Sequence, residues 1–156
     1  MTSYFYNSVG DLTKTVDPAG KATEYTFDQL GRQTARREIS TDFPAGVSWT
    51  QTLDPLGRAT VQTEPPATNA VTATIRTRRM TTVFDPNGNV TSTVESDVGG
   101  ADPARTTSFT YDLADRERSR TSASGVTWKE YDAVGNVSAT IYALGRRYEF
   151  TYNSRN

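Results

Sequence analysis

Apolar and polar residues alternate along short stretches of this chain, and glycine, proline, asparagine or aspartate interrupts every stretch. Tyr148, Phe150 and Tyr152 alternate with Glu149 and Thr151. Tyr25 and Phe27 share one parity, as do Phe109 and Tyr111, while Val90 and Val94 flank Ser92 with Thr91 and Thr93 on the opposite parity. A period of two in segments rich in Thr, Val, Tyr and Phe predicts half-buried strands, whose successive side chains point to opposite faces. No window carries convincing helical spacing. The opening of the chain reads as strands Ser3–Asn7, Leu12–Val16, Ala22–Phe27 and Gln33–Glu38, with turn signals starting at positions 6, 17 and 28. Residues 39–48 read as a longer connection, and Trp49–Leu53 and Arg58–Thr63 as the strands of the next hairpin. Residues 64–70 read as a loop, because the pair Pro65-Pro66 has no N–H to give to a ladder. Val71–Phe84 reads as one long strand and Val98–Pro103 as a further loop. Beyond Thr106, turns are expected near positions 112, 123, 132, 143 and 153. The rhythm predicts an all-β antiparallel meander of repeated β-hairpins, with about ten to thirteen strands.

One phrase sets this rhythm. Tyr131-Asp132-Ala133-Val134-Gly135-Asn136 recurs as Tyr6-Asn7-Ser8-Val9-Gly10-Asp11, Phe27-Asp28-Gln29-Leu30-Gly31-Arg32, Leu53-Asp54-Pro55-Leu56-Gly57-Arg58 and Phe84-Asp85-Pro86-Asn87-Gly88-Asn89. Tyr111-Asp112-Leu113-Ala114-Asp115-Arg116 is a degenerate copy with Asp115 in the glycine position, and Tyr152-Asn153-Ser154-Arg155-Asn156 is a last, partial copy. Self-similarity of this kind marks a repeat array. The phrase has a mechanism. Asp suits the first position of a type I turn because its carboxylate accepts a backbone N–H two residues on, proline presets the second, and glycine takes the left-handed conformation that follows in a bulged hairpin. Asp17, Asp28, Asp54, Asp85 and Asp132, with Gly20, Gly31, Gly57, Gly88 and Gly135, are therefore structural turn residues; turn geometry explains an acid at every turn better than catalysis does. Successive copies begin 21, 26, 31, 27, 20 and 21 residues apart. The short spacing equals two strands and two turns, and the middle copies are stretched by loop insertions, which arrays tolerate. The whole of 1–156 reads as a single β-strip without a second domain.

Composition narrows the chemistry. Only 35% of residues are hydrophobic, which suits a sheet wet on one face better than a two-layer core. Seventeen basic and 18 acidic residues leave a net charge of −1, which argues against bulk attraction to nucleic acid or an anionic membrane. The chain has no histidine and no cysteine, so Ser-His-Asp and Cys-His arrangements cannot form, and disulfides and thiolate chemistry are excluded. No segment approaches the roughly 20 apolar residues of a spanning helix, and the N-terminus lacks the basic and apolar regions of a signal peptide. Neither an enzyme nor a cofactor is expected. Asp85-Pro86-Asn87-Gly88-Asn89 alternates Asp and Asn as calcium loops do, but it lacks glycine at the sixth position and the distant bidentate Glu. No metal site is assigned.

Tyr-Asp at 111–112 and 131–132, with the following Gly-Asn or Gly-Arg at a period near 21 residues, resembles the YD-repeat (Rhs-type) family over most of the chain. The resemblance implies a curved strip or partial spiral shell, cut from a longer array. In the toxin relatives such a shell encloses a C-terminal toxin; in the animal relatives it sits on the cell surface and mediates adhesion. This chain is too short to close a shell, and it has neither the core segment that self-cleaves through paired aspartates nor a toxin domain. It is expected to be a fragment of a larger protein, secreted or at the cell surface, or held in a bacterial cytoplasm before delivery. The expected partners are flanking YD repeats, a toxin cargo or a glycan. An incomplete strip also exposes two strand edges, so the isolated chain is expected to self-associate.

Few other residues suggest binding. Arg116, Arg118 and Arg120, at spacing two, would share one face of a strand and could meet an anionic ligand; Arg76, Arg78 and Arg79 form a second basic cluster. A solvated face balanced by nearby acids is the competing reading. Trp49 and Trp128 could stack on a sugar, although aromatics in β-repeats more often pack on the adjacent strand. Asn89-Val90-Thr91 and Asn136-Val137-Ser138 match a glycosylation sequon, which arises here because the repeat places Asn after Gly.

Overall fold

The computed structural model describes residues 1–100 and 102–153. Ala101 of the Val98–Pro103 loop, and Ser154, Arg155 and Asn156 of the last copy, lie outside the described residues. The strands are β1 (Ser3–Tyr6), β2 (Leu12–Val16), β3 (Ala22–Phe27), β4 (Gln33–Ile39), β5 (Val47–Leu53), β6 (Ala59–Thr63), β7 (Ala67–Thr68), β8 (Ile75–Arg76), β9 (Arg78–Phe84), β10 (Val90–Asp97), β11 (Arg105–Tyr111), β12 (Glu117–Ser122), β13 (Gly125–Tyr131), β14 (Val137–Ile141) and β15 (Arg147–Glu149). Thirteen of them follow one another in chain order in an open sheet, and β7 and β8 pair separately as a small ribbon. Every recorded pairing is antiparallel, so the expected meander of hairpins is what the chain forms.

The differences from expectation lie in the insertions. Val71–Phe84 is not one strand. Asn69 Oδ1 accepts the N–H groups of Val71 and Thr72 at 2.8 and 3.1 Å, and the Asn69 N–H donates to the Thr74 carbonyl at 2.9 Å. This asparagine turn, with Ala73 at a positive φ, folds Ile75–Arg76 back onto Ala67–Thr68. Part of the expected loop 64–70 is therefore β7. The turn escaped the sequence reading because no glycine marks it. Thr77 then donates its N–H to Asp97 Oδ1 and accepts the Val98 N–H at its carbonyl, and β9 starts one residue later.

The chain divides into two compact units: Met1–Thr81 with Ser96–Pro103, and a second formed by Thr82–Glu95 and the residues from Ala104 onward. In the first unit, Tyr25, Arg36 and Trp49 stand opposite one another across β3, β4 and β5. Ala22 is its buried hydrophobic residue. In the second, Glu130, Ala139 and Glu149 form a row across β13, β14 and β15, beside the row Trp128, Ile141 and Arg147. Arg147 reaches Glu130 with two 2.8 Å bonds and Glu149 with a third, which carries its guanidinium across β14 and leaves Ala139 fully buried. Among the described residues no large side chain is fully buried. Cohesion rests on backbone ladders and half-buried cross-strand pairs, each worth only about 0.2–1 kcal/mol.

Candidate functional site

The phrase builds one turn repeatedly. In the copy at 28–32, the Asp28 N–H donates to the Arg32 carbonyl at 2.9 Å and the Gly31 N–H to the Asp28 carbonyl at 3.0 Å. Asp28 Oδ1 accepts the N–H groups of Leu30 and Arg32, while Oδ2 accepts Arg32 Nε at 2.8 Å. Asp54 with Arg58, and Asp112 with Arg116, repeat this arrangement. Asp85 and Asp132 use Asn89 and Asn136 as the donor instead. Asn7 inverts it: its Oδ1 accepts the backbone N–H groups and its Nδ2 donates to Asp11 Oδ2 at 2.9 Å. The constant feature is a donor–acceptor pair at i and i+4. Asp17 takes the N–H groups of Ala19 and Lys21, both at 2.9 Å, while the Lys21 side chain bridges to Glu38.

The residue before the acid closes each incoming strand at a register shift, seen at Tyr6, Phe27, Leu53, Tyr111 and Tyr131. Gly31, Gly57, Gly88 and Gly135 supply the positive φ that follows. Asp115 does the same at φ 57°, so the degenerate copy keeps the turn without the glycine. A short polar side chain makes that conformation tolerable.

The turn chemistry sets the carboxyl groups. Hydrogen bonds from the Arg32 side chain and backbone hold Asp28 below the usual carboxylate value, and Arg116 does this to Asp112. Burial pushes Asp54 up, but the Arg58 N–H and guanidinium outweigh it. Asn89 and Asn136 likewise outweigh burial at Asp85 and Asp132, leaving both lowered.

Neighbouring repeats are tied through these turns. Arg32 Nη1 donates to the Asp54 carbonyl at 2.8 Å. Asn87 and Asn89 both donate their Nδ2 to Asp115 Oδ1, at 2.9 and 2.7 Å. The Arg116 guanidinium lies 4.4 Å from the Tyr131 ring. The tyrosine that opens the phrase reaches back to the repeat before it. Tyr111 donates its hydroxyl to the Val90 carbonyl at 2.8 Å, Tyr131 to Glu117 at 2.7 Å and Tyr152 to Val137 at 3.0 Å. Each acceptor is the first residue after the preceding turn. Burial, then Glu117 and Asp85, raises the Tyr111 hydroxyl. Sequence reading did not assign these ties; the signal available was the recurrence of Tyr before the acid and of Arg or Asn four residues after it.

The other candidate residues are scattered. Trp49 lies under Arg36, whose guanidinium is 4.1 Å from the ring centre. They help line an open trough of about 430 Å³ with Gln51, Gln62, Glu64 and Met80. Arg36 Nε is buried there without a hydrogen-bond partner. Trp128, in the other unit, is 44% exposed and stands opposite Ser119 and Ile141. Arg118 and Arg120 are exposed on either side of buried Ser119. Arg116 lies in the turn on Asp112, Arg120 stands opposite Phe109, and the register passes from Ser119 to Glu117 without pairing Arg118. Arg76 bridges to Asp102 and Arg78 to Glu64, and Arg79 Nε is 3.4 Å from Thr63 Oγ1. Asp85 Oδ2 and Asn89 Nδ2 are engaged with each other, and among the described residues no three acidic, His or Cys side chains cluster as metal ligands do.

Residues 6–39 match the RHS Repeat family. That stretch holds the turns at Asn7, Asp17 and Asp28, in agreement with the YD-repeat resemblance carried by the phrase. The chain aligns over 99% of its length with the crystal structure of TcdB2-TccC3-TEV, at TM-score 0.71 and 14% identity. The corresponding values are 0.68 and 16% for TcdB2-TccC3-Cdc42, and 0.69 and 15% for TcdB2-TccC3 without its hypervariable C-terminal region. It spans 9% of each of those chains. The likeness establishes the fold, an antiparallel β-hairpin repeat. No curated protein sequence matches it significantly.

Proposed function

We propose that this chain is a stretch of wall in a larger repeat shell that encloses or displays a cargo, and that it performs no catalysis itself. The observation that carries this reading is the set of ties between turns, together with the near absence of a core. Ala22 and Ala139 are the buried hydrophobic residues among those described. Each repeat leans on the next through Arg32, Asp115 and the tyrosine hydroxyls. Such a strip gains its stability from continuation, as arrays do. The similar solved structures bear TEV, Cdc42 or no hypervariable C-terminal region beside TcdB2-TccC3, which supports a constant wall with a variable passenger. On this reading the wall belongs to an exported or surface protein, or to one stored in a bacterial cytoplasm before delivery.

The test is the intact mass of the native polypeptide, followed by limited proteolysis. A mass far above 17.1 kDa, with a downstream segment protected until the repeats are cut, is expected. A native mass of 17.1 kDa would sink the proposal, since one such chain encloses nothing.

A second reading, a glycan-binding surface, is favoured by the trough beside Trp49 with its orphaned Arg36 donor. Glycan-array binding abolished by Trp49→Ala, with folding retained, is its signature; a Trp128-dependent signal would move the site to the other unit. Self-association is proposed through the outer strands. Tyr4, Phe5 and Tyr6 of β1 and Tyr148 of β15 are each about half exposed, and light scattering that reports a monodisperse monomer would refute it.

A further inference from the structure

Asn87-Gly88 is the one Asn-Gly pair in the sequence, and it occupies an exposed turn whose side chain helps to tie two repeats together. We propose that Asn87 is a site of spontaneous deamidation, and that the modification breaks the tie between the 85–89 turn and Asp115. In the reaction the Gly88 backbone nitrogen loses its proton and attacks Asn87 Cγ. The Cγ–Nδ2 bond breaks, ammonia leaves, and a five-membered succinimide forms. Solvent water then opens the ring at either carbonyl, giving aspartate or its β-linked isomer. The net change is one water consumed and one ammonia released.

Glycine is the residue that least hinders this attack, since it has no Cβ. Two contacts oppose it. The Gly88 N–H donates to the Asp85 carbonyl at 3.1 Å, which occupies the attacking nitrogen. Asn87 Nδ2 donates to Asp115 Oδ1 at 2.9 Å, which holds the amide across the gap between turns. Asp115 is thus a positioning residue that slows the reaction by restraining Asn87. The product reverses the interaction, because a new carboxylate then faces the Asp115 carboxylate, and like charges in contact repel. Asn89, at 2.7 Å, remains as the single amide donor to Asp115.

The experiment incubates the full chain at mildly alkaline pH and follows Asn87 by peptide mapping, with the other asparagines as internal standards. Asp115→Gly removes the carboxylate but keeps the positive φ, so the turn is retained; Asp115→Asn keeps an acceptor. Expected are preferential loss of the amide at Asn87, severalfold acceleration in Asp115→Gly, and a rate near the parent in Asp115→Asn. An Asn87 rate no greater than that of Asn7 or Asn136 would overturn the site, and an Asp115→Gly rate equal to the parent would overturn the restraint. The product is tested by melting Asn87→Asp in both backgrounds. The Asn87→Asp melting temperature should fall with Asp115 present and stay level in Asp115→Gly. Equal falls in both backgrounds would refute the repulsion.

Discussion

Two ends of the strands in the first unit behave differently. At one end the turns 7–11, 28–32 and 54–58 have the same length, the same i to i+4 side-chain pair and the same glycine. At the other end the connections are 17–21, then 40–46, then the whole excursion of 64–77 with its own ribbon. The first kind of turn is tied sideways, as Arg32 holding the Asp54 carbonyl illustrates, so a change in length would misplace contacts in the neighbouring repeat. The excursion at 64–77 satisfies its polar groups mostly within itself, through Asn69, with Thr77 anchored on Asp97 and Val98. The uniform end thus repeats one turn chemistry, and Arg32 links two of its copies.

That contrast can be broken most strongly with acid. Asp28, Asp54, Asp85, Asp112 and Asp132 are all held below their ordinary value of 3.8. A depressed folded-state value contributes stability that is complete above the unfolded value and disappears as pH falls through the folded one. Thermal melts should therefore be level from neutrality down to about pH 5 and fall steeply below about pH 4, where unfolded Asp titrates. A melting temperature unchanged at pH 3 would mean that these turns contribute nothing.

Gly135→Val sharpens the comparison at a single turn. The valine Cβ would meet only Arg116 Nη1 at 3.7 Å, so crowding is slight and the left-handed backbone at φ 99° decides the outcome. A loss of about 1–2 kcal/mol is expected, read by denaturant titration. Next comes Tyr131→Phe, which leaves the ring on Arg116 but removes the bond to the Glu117 carbonyl. Its expected cost is about 1 kcal/mol. Phe27 and Phe84 hold the same place in the phrase without a hydroxyl, so a larger loss would show that tyrosine does more than the tie. The smallest effect is expected from two glycines inserted after Val71, at the tip of the excursion. Loop-closure entropy predicts a change of about 0.6 kcal/mol or less. The same insertion after Val134 should abolish the cooperative melt of that repeat.

The strands and the turns were legible because their causes are local. Period-two alternation fixes which parity is buried, and an acid with a glycine three residues on fixes a bulged turn, whatever surrounds it. The excursion misled because Asn69 closes its turn with Ala73, not glycine, in the positive-φ position, so the polar residues around it read as continuous strand. The register shift between Thr110 and Tyr111, which leaves Arg118 out of the strand register, was likewise invisible, since spacing alone does not reveal a bulge.

By itself, then, the sequence determined the repeat, the hairpin meander and the residues of each turn, since all of these follow from patterns read along the chain. The tertiary structure decided what those residues hold. The hydroxyls of Tyr111 and Tyr131 find carbonyls 21 and 14 residues away, and Asp115, an apparent defect in its own turn, accepts two amides from the turn before. Such partners depend on which strands lie side by side and in what register. Register is fixed by bulges and insertions summed over whole hairpins, and no local pattern encodes that sum.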